Sequence, residues 1–374
     1  MLRKIIKAYT QQRQWHTNRK IVVFESDDWG SGRIPDLATY KRLVPLVPGL
    51  SNDYYASCDT IERVADLEIL FETLLRHKDN NGKHPIITAN AIMANPDYKK
   101  IKESEFKEYH YEPFYTSIRA LDDGEKIIGL WKYGMDQQIF HPQFHGREHV
   151  LVPVWLHELR SGNQPLLAAF NEGVFSVPVT SELYTKRKNL QSAFDYSEAD
   201  NNGQFQETAI REGMKIFSDY FGFHSKSFIA SAYIWNRAIE DELLAAGVKY
   251  IQGLPFQYEP KKSSNKYSKR LHYTGQKNKH GQVYLVRNAF FEPSSNAEFD
   301  WVGDCMKRIE RAFAMNSPAI VGVHRVNFIG SIIASNREKN IALFDLLLAS
   351  IVKEWPDVEF MSSSELGDLI MKNY

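Results

Sequence analysis

The sequence lacks the features that mark several protein classes. Its 374 residues include only 2 cysteines, Cys58 and Cys305, in no metal-type spacing, so a disulfide framework is excluded. There is no excess charge. The 46 basic side chains balance 46 acidic ones, which argues against a dedicated nucleic-acid binder. No run of about 18 apolar residues occurs, so no membrane-spanning helix is expected. The opening Met1-Leu2-Arg3-Lys4-Ile5-Ile6-Lys7-Ala8-Tyr9 is basic but has no apolar centre of signal length. The expectation from these absences is a soluble, cytoplasmic protein.

Hydrophobic residues make up 43% of the chain and charged residues 25%, an ordinary globular composition. Aromatics, at 13%, are on the rich side, which suits both a large core and a carbohydrate platform. Short apolar runs alternate with helix-patterned stretches along the chain. Ile21-Val22-Val23-Phe24, Pro85 to Asn90, Ile139 to His145, Gly173 to Val177, Lys226 to Ala232, Val248 to Ile251, Val283 to Val286, Ala319 to Val323 and Val358 to Met361 read as strands. Asp59-Thr60-Ile61-Glu62 reads as a helix start, with the Glu three residues after the Asp. Ile61, Val64, Leu67, Leu70, Phe71 and Leu74 then keep helical spacing. No internal repeat is visible. Such alternation predicts parallel strands covered by helices, either a barrel or a doubly wound sheet, and chemistry in both gathers at the carboxyl ends of strands.

The polar residues of interest fall at those ends. The first strand runs into Glu25-Ser26-Asp27-Asp28-Trp29-Gly30. Adjacent carboxylates repel, and burying them is costly without a cation or hydrogen bonds, so the strand is read as delivering Asp27 and Asp28 to a site. A plain helix cap is the bland alternative. His145-Gly146-Arg147-Glu148-His149 ends the third strand. If that segment is helical, its two imidazoles lie one above the other and reach one ion. Two imidazoles and a carboxylate suit Zn²⁺ with an open position. Arg287 and His324 end two later strands. Trp29, Trp235 and Trp301 are candidate sugar platforms, though such residues are more often core. Lys261 to Lys279 carries seven basic residues and no acid, a basic surface loop over about 261–280 that is usually solvated or, less simply, touches an anionic part of a substrate.

Asp-Asp after the first strand, His-x-x-x-His after the third and a late strand ending in Gly322-Val323-His324 together resemble the polysaccharide deacetylase (NodB-homology) family of the glycoside hydrolase/deacetylase superfamily. That resemblance implies an α/β fold: a distorted (β/α) barrel of about seven parallel strands with loop insertions, one catalytic domain over 1–374 with a core at roughly 20–330. It implies removal of N- or O-acetyl groups from a carbohydrate with one divalent metal ion, Zn²⁺ first and Co²⁺, Ni²⁺, Mn²⁺ or Mg²⁺ as substitutes. Residue by residue, it makes Asp27 the general base, His324 the general acid, and Asp28, His145 and His149 the metal ligands. Two departures stand out. The family's third motif carries an Arg that orients the base, whereas Phe228 to Tyr233 has none, so Arg287 is the candidate to supply that charge. Gly322 stands where Leu is usual.

Two other readings compete. His145-x-x-Glu148-His149 also matches a zinc metallopeptidase motif, with Glu148 as base. A barrel that keeps the metal residues but only binds glycan is the other.

Overall fold

A computed structural model of the protein describes residues 9–196, 203–261 and 266–373. The basic opening up to Ala8, part of the stretch 191–203 and four residues of the basic stretch 261–280 lie outside the described residues.

Strand β1 (Lys20–Trp29) is flanked by β2 (Ile87–Ala91), and the sheet continues through β3 (Phe140–Phe144), β4 (Ser227–Ile229), β5 (Tyr250–Gly253) and β6 (Val283–Val286). On the other side of β1 lie β8 (Ala319–His324) and then β7 (Ala289–Phe290). Every pairing among these strands is parallel. The two ends of the sheet, β6 and β7, are one continuous stretch of chain. Arg287 N–H donates to Gly253 O at 2.9 Å, and the next residue, Asn288, donates to Ile320 O at 3.0 Å. A single bent strand therefore pairs with β5 by its first half and β8 by its second, and the sheet closes into a distorted seven-stranded barrel. A short strand β9 (Val358–Phe360) pairs with β1 at Lys20–Val22, where β2 has not yet begun.

Period-two alternation sorts the strands into two faces. Outward residues such as Val22, Phe24, Ala89, Phe140, Phe228, Ile251 and Val321 pack under the surrounding helices in the main core. Inward residues form layers. At the amino end of the strands Ile21, Val23, Tyr250, Val283, Leu285 and Ile320 make a small apolar core, plugged by Leu366 and Ile370 of the helix Ser363–Lys372. Above it the interior turns polar: Glu25, Thr88, Asn90, Gln143, Ser227, Gln252 and Arg287 are all buried.

Two insertions form a cap over the carboxyl end. Residues 31–58 and 147–196 share a separate core built on Leu43, Leu50, Val154, Trp155, Phe170 and Phe175. Within it, Gly173 to Val177, expected as a strand, is irregular chain whose Val174, Phe175 and Val177 are buried in the cap rather than in the sheet. The helix expected from Asp59 begins later, at Val64, with Arg63 at its N-cap and Asp66 returning the contact. The basic stretch is not a simple loop either: Tyr267–Leu271 pairs antiparallel with Phe256–Pro260.

Candidate metal and acid–base centre

Strict alternation would send Asp27 and Asp28 to opposite faces of β1. The register between β1 and β2 shifts between Ser26 and Trp29, and Asp28 sits at φ +80°, a conformation unusual outside glycine. This bulge turns both carboxylates into the same cleft. Backbone strain of this kind is held only where the surroundings enforce it.

His145 follows β3 directly, and His149 arrives four residues later through irregular chain, not a helix. Gly146 at φ +119° makes the turn; an added Cβ there would press on Glu148 O and the Phe194 ring. The expected helical stacking is therefore replaced by a loop, yet the rings still converge, with centroids 5.2 Å apart. One donor atom from each of Asp28, His145 and His149 lies within 4.8 Å of the others, and all three residues are buried.

These atoms fit a cation. His145 Nδ1 lies 2.9 Å from Ile229 O, so this nitrogen carries a hydrogen, and Nε2 lies 3.4 Å from Asp28 Oδ1. His149 Nε2 is 3.1 Å from the same oxygen. Burial, outweighing the nearby Asp28 charge, pushes His149 down to about 4, so it is a neutral ring. Asp28 Oδ1 is buried with no hydrogen-bond donor. Burial pushes the Asp28 carboxyl up, but the Arg33 charge beside it holds the group well below the usual carboxylate range. An ionised oxygen facing two imidazole nitrogens is a donor set for a positive ion.

Asp27 is set beside this group by a different partner. Arg287 donates Nη2 to Asp27 Oδ1 at 2.6 Å and Nη1 to Oδ2 at 2.8 Å, while its Nε donates to Glu25 Oε2 at 2.7 Å. Asn90 Nδ2 adds a bond to Asp27 Oδ1 at 2.7 Å. Burial raises the Asp27 pKa, but the Arg287 charge and hydrogen bonds, with the His324 charge, bring it down to about 2. Arg287 is fully buried beneath Asp27 and does not line the cleft, so it supports the carboxylate from within the barrel. Gly322 explains how it fits. A Cβ at that position would lie 2.8 Å from Arg287 Cδ, so the residue that departs from the family pattern clears the path of the guanidinium.

His324 ends β8 directly across from Asp27, with Nε2 3.7 Å from Asp27 Oδ2. Its Nδ1 is 2.6 Å from Glu292 Oε1, and Asn327 Nδ2 holds the other Glu292 oxygen at 2.7 Å. Burial pulls the ring pKa down, but Glu292, Asp27 and Asp28 raise it to about 9.

Five of the six residues expected at the site, Asp27, Asp28, His145, His149 and His324, thus line one cleft of about 1180 Å³, with Arg287 beneath it; its walls come largely from the cap: Tyr54, Tyr55, Asn163, Thr180, Arg187 and Lys188. The tryptophans are elsewhere. Trp29 and Trp235 are buried in the core, Trp301 packs on Phe299, and none lines the cleft. Its aromatic wall is Tyr54, Tyr55 and Tyr233. No described residue of the basic stretch lines it. Glu148 is occupied by Arg147, with its Oε1 3.2 Å from Nη2, and is absent from the cleft lining. Sequence reasoning missed Glu292, Arg33, Asn90 and Tyr233. Two of them carried a signal: Asn90 as the polar end of an expected strand, and Glu292 as an acid just past a strand end.

No family model matches the sequence, and no curated protein matches it. Solved structures similar to the chain include a "probable Polysaccharide deacetylase" from Pseudomonas aeruginosa PAO1, with TM-score 0.43, 9% identity and coverage of 94% of this chain and 91% of that one. They include the Puue allantoinase, with TM-score 0.44, 10% identity and coverage of 95% and 91%. A 4-alpha-glucanotransferase from Thermococcus litoralis matches at TM-score 0.46 and 9% identity over 95% of this chain and 40% of its own. Similarity of this degree assigns no activity to the chain.

Proposed function

We propose that the protein is a metal-dependent hydrolase that removes N- or O-acetyl groups from a carbohydrate. One observation carries this reading. A three-residue cation donor set, a carboxylate held ionised and an imidazole held protonated share the floor of one cleft. Asp28, His145 and His149 would hold the ion, with Zn²⁺ the best fit to two imidazoles and a carboxylate. A bound divalent ion supplies Lewis acidity, activating water and polarising an acyl carbonyl.

Asp27 would take the proton of the attacking water. The Arg287 clamp fixes its direction and keeps it charged. His324, hydrogen-bonded to Glu292, would return a proton to the departing amine or alkoxide. The cleft, above the usual size of a small-molecule pocket, suits a saccharide of several units, and Tyr54, Tyr55 and Tyr233 offer ring faces for stacking. The pairing of Glu148 with Arg147 disfavours the peptidase reading, in which Glu148 would need to face the ion.

The test is acetate release from a panel of N- and O-acetylated oligosaccharides by Zn²⁺-loaded protein, beside an Asp27→Asn variant. Release by the wild type and its loss in the variant is the expected result. A metal-loaded wild type inert across the panel would instead favour the glycan-binding barrel.

A further inference from the structure

Arg33 enters the site from behind. Its side chain is 3% exposed, and its Nη2 donates to Asp28 Oδ2 at 2.9 Å. Nη1 donates to Ser176 Oγ at 3.1 Å, and the guanidinium faces the rings of Tyr55 and Phe175 at 5.6 and 5.8 Å. Its Nε lies 3.5 Å from Asp59 Oδ2. Asp59 is in turn gripped by Arg325, Nε to Oδ1 at 3.2 Å and Nη2 to Oδ2 at 3.0 Å, and Arg325 Nη1 reaches Glu62 Oε2 at 2.9 Å. Glu62 ends the row on neutral donors, Trp131 Nε1 at 3.1 Å and Gly30 N–H at 3.2 Å.

The row Asp28, Arg33, Asp59, Arg325, Glu62 alternates in sign and carries one net negative charge. Arg325, Asp59 and Glu62 are fully buried, where unpaired charge is strongly disfavoured. Along the row the oxygens are engaged, except Asp28 Oδ1, which faces His145 and His149.

We propose that Arg33 is a positioning residue that occupies Oδ2 of Asp28 and so restricts this carboxylate to a single ligating oxygen. The inference rests on the reading of Asp28, His145 and His149 as metal ligands. A two-oxygen Asp28 would raise the coordination number of the ion and crowd the position that water needs. By holding Oδ2, Arg33 keeps the site at three protein donors with one position open. It also draws charge from the ligand, which leaves the ion a stronger Lewis acid and more weakly bound.

The test needs no substrate. Wild type, Arg33→Met and Arg33→Lys are loaded with Co²⁺, and the visible d–d spectrum and the Kd by chelator competition are read for each. The expected wild-type spectrum has the intense bands of four-coordinate Co²⁺. Arg33→Met should show the weaker bands of a five-coordinate ion and bind about tenfold tighter, while Arg33→Lys, which keeps one charged donor, should resemble the wild type. A wild-type spectrum and Kd in Arg33→Met, or weaker binding, would overturn the role of Arg33. If Arg33→Met fails to fold, the Zn²⁺-loaded wild type decides: one Asp28 oxygen within about 2.2 Å of the ion supports the proposal, and two overturn it. Wild type that takes up neither ion sinks the metal-site reading and this role together, whereas uptake with an unaltered Arg33→Met sinks this role alone.

Discussion

Gly322→Ala is the sharpest probe of how the acid–base centre is built. An alanine Cβ would sit 2.8 Å from Arg287 Cδ and 3.3 Å from both Arg287 Nη1 and Phe290 Cδ1. Carbon atoms prefer about 3.5–4.0 Å, so the Arg287 stem must retreat by most of an ångström. It has no slack to do so. The side chain is fully buried and tied at 2.6, 2.8 and 2.7 Å to Asp27 and Glu25. Overpacking of this kind costs about 1–3 kcal/mol, and outright loss of the buried clamp about 3–5 kcal/mol. The smaller range is expected, because a partial shift lengthens the bonds before breaking them. Asp27 would then lose part of what brings its pKa to about 2. A depressed carboxylate pKa stabilises the fold above its unfolded value and loses that contribution as pH falls toward the folded value. The variant should therefore show lower stability in urea at neutral pH, and the acid limb of its kcat/KM profile should move to higher pH. Gly253→Ala is the control, because its Cβ would meet only the Trp235 ring at 3.7 Å, an ordinary contact. If Gly322→Ala matched the wild type in both stability and acid limb, the dependence of Asp27 on the Arg287 clamp would be refuted.

Other substitutions separate the remaining roles. Asp28→Ala or His149→Ala should lose stoichiometric Zn²⁺ by elemental analysis, while Asp27→Asn should keep the ion and lose about 10²–10⁴-fold in acetate release. Glu292→Gln removes the charge that raises His324 to about 9, leaving burial to pull it down. The protonated acid is then lost at lower pH, so the alkaline limb of kcat/KM should shift acidward. The same raised pKa stabilises the fold below the unfolded histidine value and fades as pH rises through about 9, so Glu292→Gln should lower Tm more at pH 6 than at pH 10. Tyr54→Ala should raise KM for oligosaccharides with little change in kcat, by steady-state assay, if its ring binds sugar away from the reacting bond.

The barrel, Asp27, Asp28 and His324 were legible because each announces itself locally: a short apolar run, then a polar residue where the run stops. The parts that act across the sequence were not. Asp59 and Glu62 have the spacing of a capping box, yet they pair with Arg325, 266 and 263 positions away, because a buried guanidinium needs them more than a helix end does. Nothing near Arg33 says that it will meet Asp28, since both lie on a bulge and loop whose turn depends on Asp28 adopting φ +80°. The imidazole pair was found by its four-residue spacing, although the chain between follows Gly146 rather than a helix. Tryptophans suggested the sugar platform, but Trp29 and Trp235 lie in the core and Trp301 at its edge against Phe299, and the smaller, hydroxyl-bearing tyrosines face the cleft.

The helix that plugs the barrel has a temporal consequence. Ser363 Oγ donates to Glu25 Oε1 at 2.8 Å across 338 positions of sequence, and Glu25 shares Arg287 with Asp27. During synthesis, the first strand must wait for almost the whole remainder of the chain to be made before its innermost acid gains this partner. Catalytic competence would then be among the last properties a nascent molecule acquires, and a chain halted before Ser363 would carry every reactive side chain yet lack the wedge that sets them.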